Sequence, residues 1–262
     1  AALTSKKDMD LFWNILDERL DLVKELGLLR YNQLKNVPSD VAPILWQDGA
    51  ISRLKKGEPI GKLLENGYAT VSLGYIGVFE TTKYMLGVSH TTEKGQEFAL
   101  KLVQHLRDKV DEWKEETGLG FALYGTPSEN MAGKLCSIDK KHFGTIEGIN
   151  EKGYYINSYH VDVSEEIDAF SKLSFESPFQ QMSTGGTISY VEIPNLQNNL
   201  SAVETVVDFI YDNNIYAELN TKADLCHVCK YDGEIIINDD NEWECPQCHN
   251  KDQNKMTVVR RT

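Results

Sequence analysis

Two cysteine pairs, Cys226-His-Val-Cys229 and Cys245-Pro-Gln-Cys248, stand in a C-x2-C-x15-C-x2-C spacing. Each pair offers two sulfurs from one tight knuckle, and two knuckles complete the tetrahedral thiolate set of a structural zinc ion. Iron in the same cage, or a redox disulfide pair, is the alternative chemistry. Residues 234–238 and 242–244 read as the two arms of a zinc-ribbon hairpin turning through Asp239-Asp240-Asn241. His227 and His249 flank the knuckles but read as bystanders, because Cys226, Cys229, Cys245 and Cys248 already fill a tetrahedron. A filled site has no open position for a substrate, so such a zinc holds structure and does no chemistry. Residues 221–262 carry six Lys/Arg against eight Asp/Glu, which speaks against nucleic acid as the ribbon's partner.

A second constellation is Gly125-Thr-Pro-Ser-Glu-Asn130, placed between a short apolar run and a helical one. A glycine, two hydroxyls and a proline at the start of a helix leave backbone N–H groups free to meet phosphate. The same letters also fit a capping box, with Thr126 as cap and Glu129 as its partner, and the two readings can coexist. Asn157-Ser-Tyr-His160 and Ser183-Thr-Gly-Gly-Thr187 put polar groups and glycines where α/β proteins collect ligands, a weaker signal. No Ser-His-Asp or Walker pattern accompanies them.

These groups need elements to position them. Met9, Phe12, Leu16, Leu20, Val23, Leu26 and Leu29 recur at helical spacing within 7–36, and Pro38 stops that helix. A second helix over about 92–117 puts Phe98, Leu102, Leu106, Val110 and Trp113 on one face, opened at Thr92 and closed by Gly118. Strands are predicted over 69–77, 121–124, 154–161, 187–193 and 215–219, and helices over 131–142 and 201–213. Strands alternating with helices argue an α/β fold with a largely parallel core. The composition changes near 221, dividing a domain over 1–220 from a ribbon module over 221–262. The 262 residues carry 41% hydrophobic and 26% charged residues and a net charge of −13. That balance fits a soluble globular protein and disfavours a polyanionic partner. No apolar run approaches the ~20 residues of a membrane span, and no export signal is apparent, so a cytoplasmic location is expected. Cys136, the fifth cysteine, is expected as a buried inert thiol beside Met131, Leu135 and Ile138, with a reactive role as the lesser option.

Ser72-Leu-Gly-Tyr-Ile-Gly77, Leu123-Tyr-Gly-Thr-Pro-Ser-Glu129, Asn157-Ser-Tyr-His160, the Gly185-Gly186 strand and the paired cysteines leading into Val258-Val-Arg-Arg-Thr262 follow one order. In that order the chain resembles the C-terminal part of the large catalytic subunit of anaerobic, glycyl radical ribonucleoside-triphosphate reductases over about 65–262. The resemblance implies part of a ten-stranded α/β barrel followed by the four-cysteine ribbon. It implies reduction of ribonucleoside triphosphates to 2′-deoxyribonucleoside triphosphates by glycyl and thiyl radical chemistry. The implied partners are the nucleotide, a radical-SAM activase with an iron–sulfur cluster, and a second copy of the chain in a homodimer. Thr126, Ser128 and Asn130 would then hold the substrate triphosphate, and Glu129 would serve in proton transfer at the ribose. The zinc module would be the base of the radical loop. The radical glycine is expected just beyond Thr262, and Cys136 does not match the thiyl cysteine, so this polypeptide is expected to be inactive alone. A non-catalytic zinc-ribbon interaction module on an α/β scaffold is the main alternative. A formate- or diol-cleaving glycyl radical relative is a further one, and the zinc module argues against it.

Overall fold

The computed structural model describes residues 1–262 apart from 66, 126, 128, 195, 197, 198, 222, 223, 239–241 and 259–262, and apart from the side chains of Glu129 and Thr221. The chain divides into two compact units, residues 1–162 with 178–188, and residues 163–177 with 189–262. Among the described residues no helix is long and apolar enough to cross a membrane.

The first unit opens with a short turn, α1 (Ala2–Ser5), and the long helix α2 (Met9–Leu34), capped where the Asp8 carboxylate accepts the Leu11 N–H. Two further single turns, α3 (Pro43–Trp46) and α4 (Gly61–Leu64), lead to strand β1 (Val71–Gly74). Helices α5 (Val78–Leu86) and α6 (Glu93–Thr117) cross over to β2 (Phe121–Tyr124), which pairs parallel with β1 from Val71–Phe121 to Gly74–Tyr124. The next helix is α7 (Glu129–Phe143). Thr92 caps α6 by accepting the Gly95 N–H, Gly118 closes it at φ 70°, and the five predicted apolar side chains of α6 are all buried. Phe12, Met85, Phe98 and Leu102 form one apolar core, while Trp113 meets Phe121 edge-on at 5.5 Å and fastens α6 to β2.

In the second unit β3 (Ser189–Ile193), α9 (Leu200–Asn213) and β4 (Ala217–Thr221) make another parallel crossover, in register from Ser189–Ala217 to Ile193–Thr221. Between the units in sequence runs α8 (Ala169–Met182), whose residues 169–177 belong to the second unit and 178–182 to the first. Leu173, Val191 and Ile193 form the core beside the β3–β4 pair. The ribbon follows as β5 (Asp224–Cys226), β6 (Asp232–Gly233), β7 (Ile236–Ile237), β8 (Trp243–Glu244) and β9 (Met256–Thr257). β5 lies between β6 and β9 in an antiparallel sheet, and β7 pairs antiparallel with β8 as the predicted hairpin.

Two expectations are corrected. Residues 154–161 are not a strand: the His160 N–H donates to Asn157 O at 3.0 Å, Ser158 takes φ 41°, and only an isolated bridge joins Asn157 to Ile76. Ile156 and Ser158 through Val161 are all buried, so no face alternates with solvent as a half-buried strand requires. On α2 the buried line runs through Phe12, Leu20 and Gly27, and Val23, Leu26 and Leu29 are exposed. A Cβ on Gly27 would stand 2.9 Å from the Phe121 ring, so the strand pair presses on a residue that counting apolar side chains passes over. Cys136 is fully buried, as expected, while Met131 and Ile138 of the same helix are exposed.

Candidate functional site

The end of β2 is where the separate polar motifs of the first unit meet. The Gly125 N–H donates to Gly186 O at 3.0 Å, and the Gly185 N–H donates to Leu123 O at 2.6 Å. A Cβ on Gly125 would lie 2.9 Å from Tyr159 Cε1, 3.3 Å from Ser183 Oγ and 3.4 Å from Thr187 Oγ1. Only glycine lets the 183–187 turn and the Tyr159 ring close on the start of the polar loop. Tyr159 is fully buried; its hydroxyl bonds Thr187 Oγ1 and donates to Ile188 O at 2.9 Å. Tyr75, in the turn after β1, bonds Ser183 Oγ at 2.9 Å, and burial pushes its phenol far above the ordinary range, keeping it protonated.

The Asn157–His160 turn is held from several sides. The Gly77 and Val78 N–H groups donate to Ile156 O and Ser158 O at 2.8 and 3.2 Å. His90 Nε2 lies 3.0 Å from both Tyr159 O and His160 O. His160 Nδ1 and Nε2 face Asn157 O at 2.8 Å and Ile188 O at 2.9 Å. Glu80, buried in the first turn of α5, accepts the Ile156 N–H at 2.9 Å and meets Lys152 Nζ at 3.4 Å. Lys152 also pairs with the buried Asp162, closing the loop that carries the turn. Burial raises the Glu80 carboxyl above its ordinary value, against the opposing Ile156 N–H and Lys152 charge, and its Oε2 has no hydrogen-bond partner among the described residues. Glu80, Lys152, Asp162 and His90 carry no motif and escape a reading by spacing. Tyr75 sits inside the Ser72–Gly77 segment, but nothing in its neighbours marks its role.

Of the residues predicted to meet substrate, Thr126 and Ser128 lie outside the described residues. Glu129 begins α7, and its side chain also lies outside them. Asn130 is exposed on the first turn of that helix. Cys136 donates its S–H to Asn150 O at 3.3 Å, and burial raises its thiol, which keeps it protonated and inert.

In the second unit Cys226, Cys229, Cys245 and Cys248 bring their sulfurs within 4.8 Å of one another. The Cys226–Cys248 and Cys229–Cys245 separations are both 3.6 Å. A tetrahedron of sulfurs at ~2.3 Å from zinc has edges of about 3.8 Å, so this donor set fits a tetrahedral metal ion. The two knuckles are built alike. Lys230 N–H donates to Cys226 O and His249 N–H to Cys245 O, while Cys226 and Cys245 N–H donate to Tyr231 O and Asn250 O. Lys230 (φ 63°) and His249 (φ 55°) each follow the second cysteine in the left-handed region, the bend that turns both sulfurs of a pair to one side. The backbone N–H of Cys229 draws the Cys226 thiol down to about 6. Cys248 moves the other way, to about 12, where the Asn250 N–H opposes the rise but burial and the neighbouring sulfurs outweigh it. One thiolate is favoured and further ones repel it, the balance a bound cation reverses. His227 Nε2 bonds Thr257 Oγ1 at 2.9 Å and His249 Nδ1 bonds Glu244 Oε1 at 2.6 Å. Neither histidine belongs to the sulfur cluster.

The family model described as anaerobic ribonucleoside-triphosphate reductase matches residues 1–262. The anaerobic ribonucleoside-triphosphate reductase of Escherichia coli (strain K12) is 41% identical over 263 residues, 99% of this chain and 37% of that protein. The reductase of the same name from Enterobacteria phage T4 is 39% identical over 252 residues, 96% of this chain and 40% of its own length. The chain thus spans well under half the length of these relatives. The anaerobic ribonucleotide reductase of Thermotoga maritima with dATP in its specificity site superposes with a TM-score of 0.66 at 20% identity, covering 95% of this chain and 39% of that one. The same enzyme with dATP and CTP gives 0.65 at 19%, over 95% and 38%. With a match from the first residue to the last, the chain belongs to the anaerobic ribonucleoside-triphosphate reductase family.

Proposed function

We propose that this chain is part of the catalytic α/β barrel of an anaerobic reductase that converts ribonucleoside triphosphates to 2′-deoxyribonucleoside triphosphates. The family match along the whole chain carries this reading. Its parallel β1–β2 and β3–β4 pairs would be strands of a ten-stranded barrel over 1–220, with the ribbon over 221–262 as a separate module. The polar loop after β2 would take the substrate triphosphate through Thr126, Ser128 and Asn130 at the N-terminus of α7. Glu129 would stand next to them for proton transfer at the ribose. The convergence of Tyr159, Ser183 and Thr187 on Gly125 supports this reading, since it fixes the residue from which the loop starts.

Cys226, Cys229, Cys245 and Cys248 would hold a zinc ion, supported by the spacing of their sulfurs. Bound there, zinc supplies no reaction chemistry; it ties two knuckles together. The glycyl radical, its radical-SAM activase, a homodimer and a cytoplasmic setting belong to the same proposal for the whole protein.

Calorimetric titration of the 262-residue chain tests the substrate reading. CTP binds, cytidine does not, and the Thr126→Ala/Ser128→Ala double variant weakens CTP at least tenfold. Elemental analysis finds one zinc per chain, lost in Cys226→Ser/Cys245→Ser. A chain that carries zinc but takes no nucleoside triphosphate would instead be a zinc-ribbon interaction module.

A further inference from the structure

We infer that His160 is a built-in imidazolium, a buried cation that cross-links the Asn157–His160 turn to residue 188 and lends positive charge to the end of β2 at Gly125. Both of its ring nitrogens lie at hydrogen-bond distance from backbone carbonyls, Asn157 O at 2.8 Å and Ile188 O at 2.9 Å. A carbonyl oxygen only accepts, and neutral imidazole has a single N–H to give. Satisfying both contacts requires a proton on each nitrogen. In the neutral form one nitrogen lone pair would face a carbonyl lone pair in a buried place, a contact that costs free energy.

The surroundings favour the charged ring. It stacks on Tyr159 with centroids 4.9 Å apart and planes 12° apart, and Tyr159 stacks in turn on Phe179 at 5.5 Å and 7°. An aromatic face attracts a cation laid over it. Tyr159 lies under the ring, and His90 Nε2 is 3.0 Å from the His160 carbonyl oxygen. Asp162, two residues along, is paired with Lys152, which Glu80 shares. His160 as a whole residue is 7% exposed, so a charge on it is poorly screened by solvent.

The position gives the charge a use. The Tyr159 ring carrying the imidazolium is the one that a Cβ on Gly125 would strike. The cation therefore lies one aromatic ring from the start of the polar loop. Its service to an anion there rests on the nucleotide reading above; its protonation does not.

Long-range 15N–1H NMR of the histidine-labelled 262-residue chain tests the protonation, with His160 assigned through the wild-type backbone and checked by the signal missing in His160→Gln. Both ring nitrogens of His160 are expected as N–H at pH 7 and still at pH 8. A nitrogen without a proton at pH 7 would overturn the inference. Calorimetry with tripolyphosphate tests the use of the charge. Binding is expected to be about tenfold weaker in His160→Gln than in wild type. Equal affinity in the two proteins would remove His160 from anion binding. No binding by wild type would sink the nucleotide reading and leave the cation standing.

Discussion

At residue scale the site depends on a few atoms that the surroundings leave no room to change. Gly125→Ala puts a methyl 2.9 Å from Tyr159 Cε1 and 3.3 Å from Ser183 Oγ, so one of these anchored side chains must shift. Overpacking of this kind costs about 1–3 kcal/mol, which chemical denaturation measures directly. Tyr159 is anchored through its hydroxyl to Thr187 and Ile188, and Ser183 through its own to Tyr75 and Phe179, so the variant is also expected to loosen the 183–187 turn. Glu80 makes a different case, because its carboxylate serves two partners while one oxygen has none among the described residues. Glu80→Ala leaves a buried N–H and the Lys152 charge short of a partner and costs about 3 kcal/mol. Glu80→Gln keeps an acceptor for Ile156 without burying a charge, and stays within about 1 kcal/mol of wild type near neutral pH. The sign of the pH dependence follows from burial raising Glu80 above its ordinary 4.5. The folded state then holds the proton more tightly than the unfolded one. The stabilisation this brings is full below 4.5 and is lost as pH rises through the raised folded value. Wild type should therefore gain on Glu80→Gln as pH falls through that window. Two parallel unfolding profiles would refute this.

At element scale, what is legible in the sequence is what local chemistry decides. Helix α6 begins at Thr92 and ends at Gly118, as its cap residues and apolar face predict, because both ends are settled within one turn of chain. Thr92→Ala removes the acceptor for the Gly95 N–H and is expected to cost about 1 kcal/mol in thermal or denaturant unfolding. β2 and β3 are likewise marked by apolar runs between clear breakers and α9 follows the break at Pro194, while β4 starts two residues after the expected 215. The segment 154–161 misleads for a physical reason. Its tyrosines and isoleucine have strand composition, but the segment's partners are the buried Glu80 carboxylate, His90 and the Ile188 carbonyl, all far away in sequence. α8 gives little sign of itself, since Pro178 lies inside it and its buried positions include Glu176 and Gln180. The cysteine knuckles are legible as metal spacing, while the left-handed bends at Lys230 and His249 are not, because glycine would be the usual sign. Lys230→Gly should therefore stabilise the ribbon by up to about 1 kcal/mol, read as a higher melting temperature with metal bound.

At the scale of the molecule, the first unit and the ribbon within the second hold themselves together by different means. The first has an apolar core of Phe12, Met85, Phe98 and Leu102, with buried polar bonds around Tyr159. Among the described residues the ribbon's buried apolar side chains are Ile235 and Met256 beside Cys226 and Cys245, with Tyr231 and Trp243 half-buried against them. So small a cluster supplies little hydrophobic stabilisation, and a domain of this kind depends on a metal or cross-links. Structural zinc contributes on the order of 10 kcal/mol in such modules, more than the ribbon's own core can replace. Chelation at neutral pH should therefore melt residues 224–257 and leave β1, β2 and α6 folded. Hydrogen exchange with and without a chelator reads this residue by residue: ribbon amides lose protection, those of 93–124 keep it, and zinc restores the first set. Acidification should do the same, since protons compete with the metal for the four sulfurs. Ribbon protection that survives complete removal of metal would show that its hairpins stand on side-chain packing alone, and the four-sulfur centre would lose its structural role.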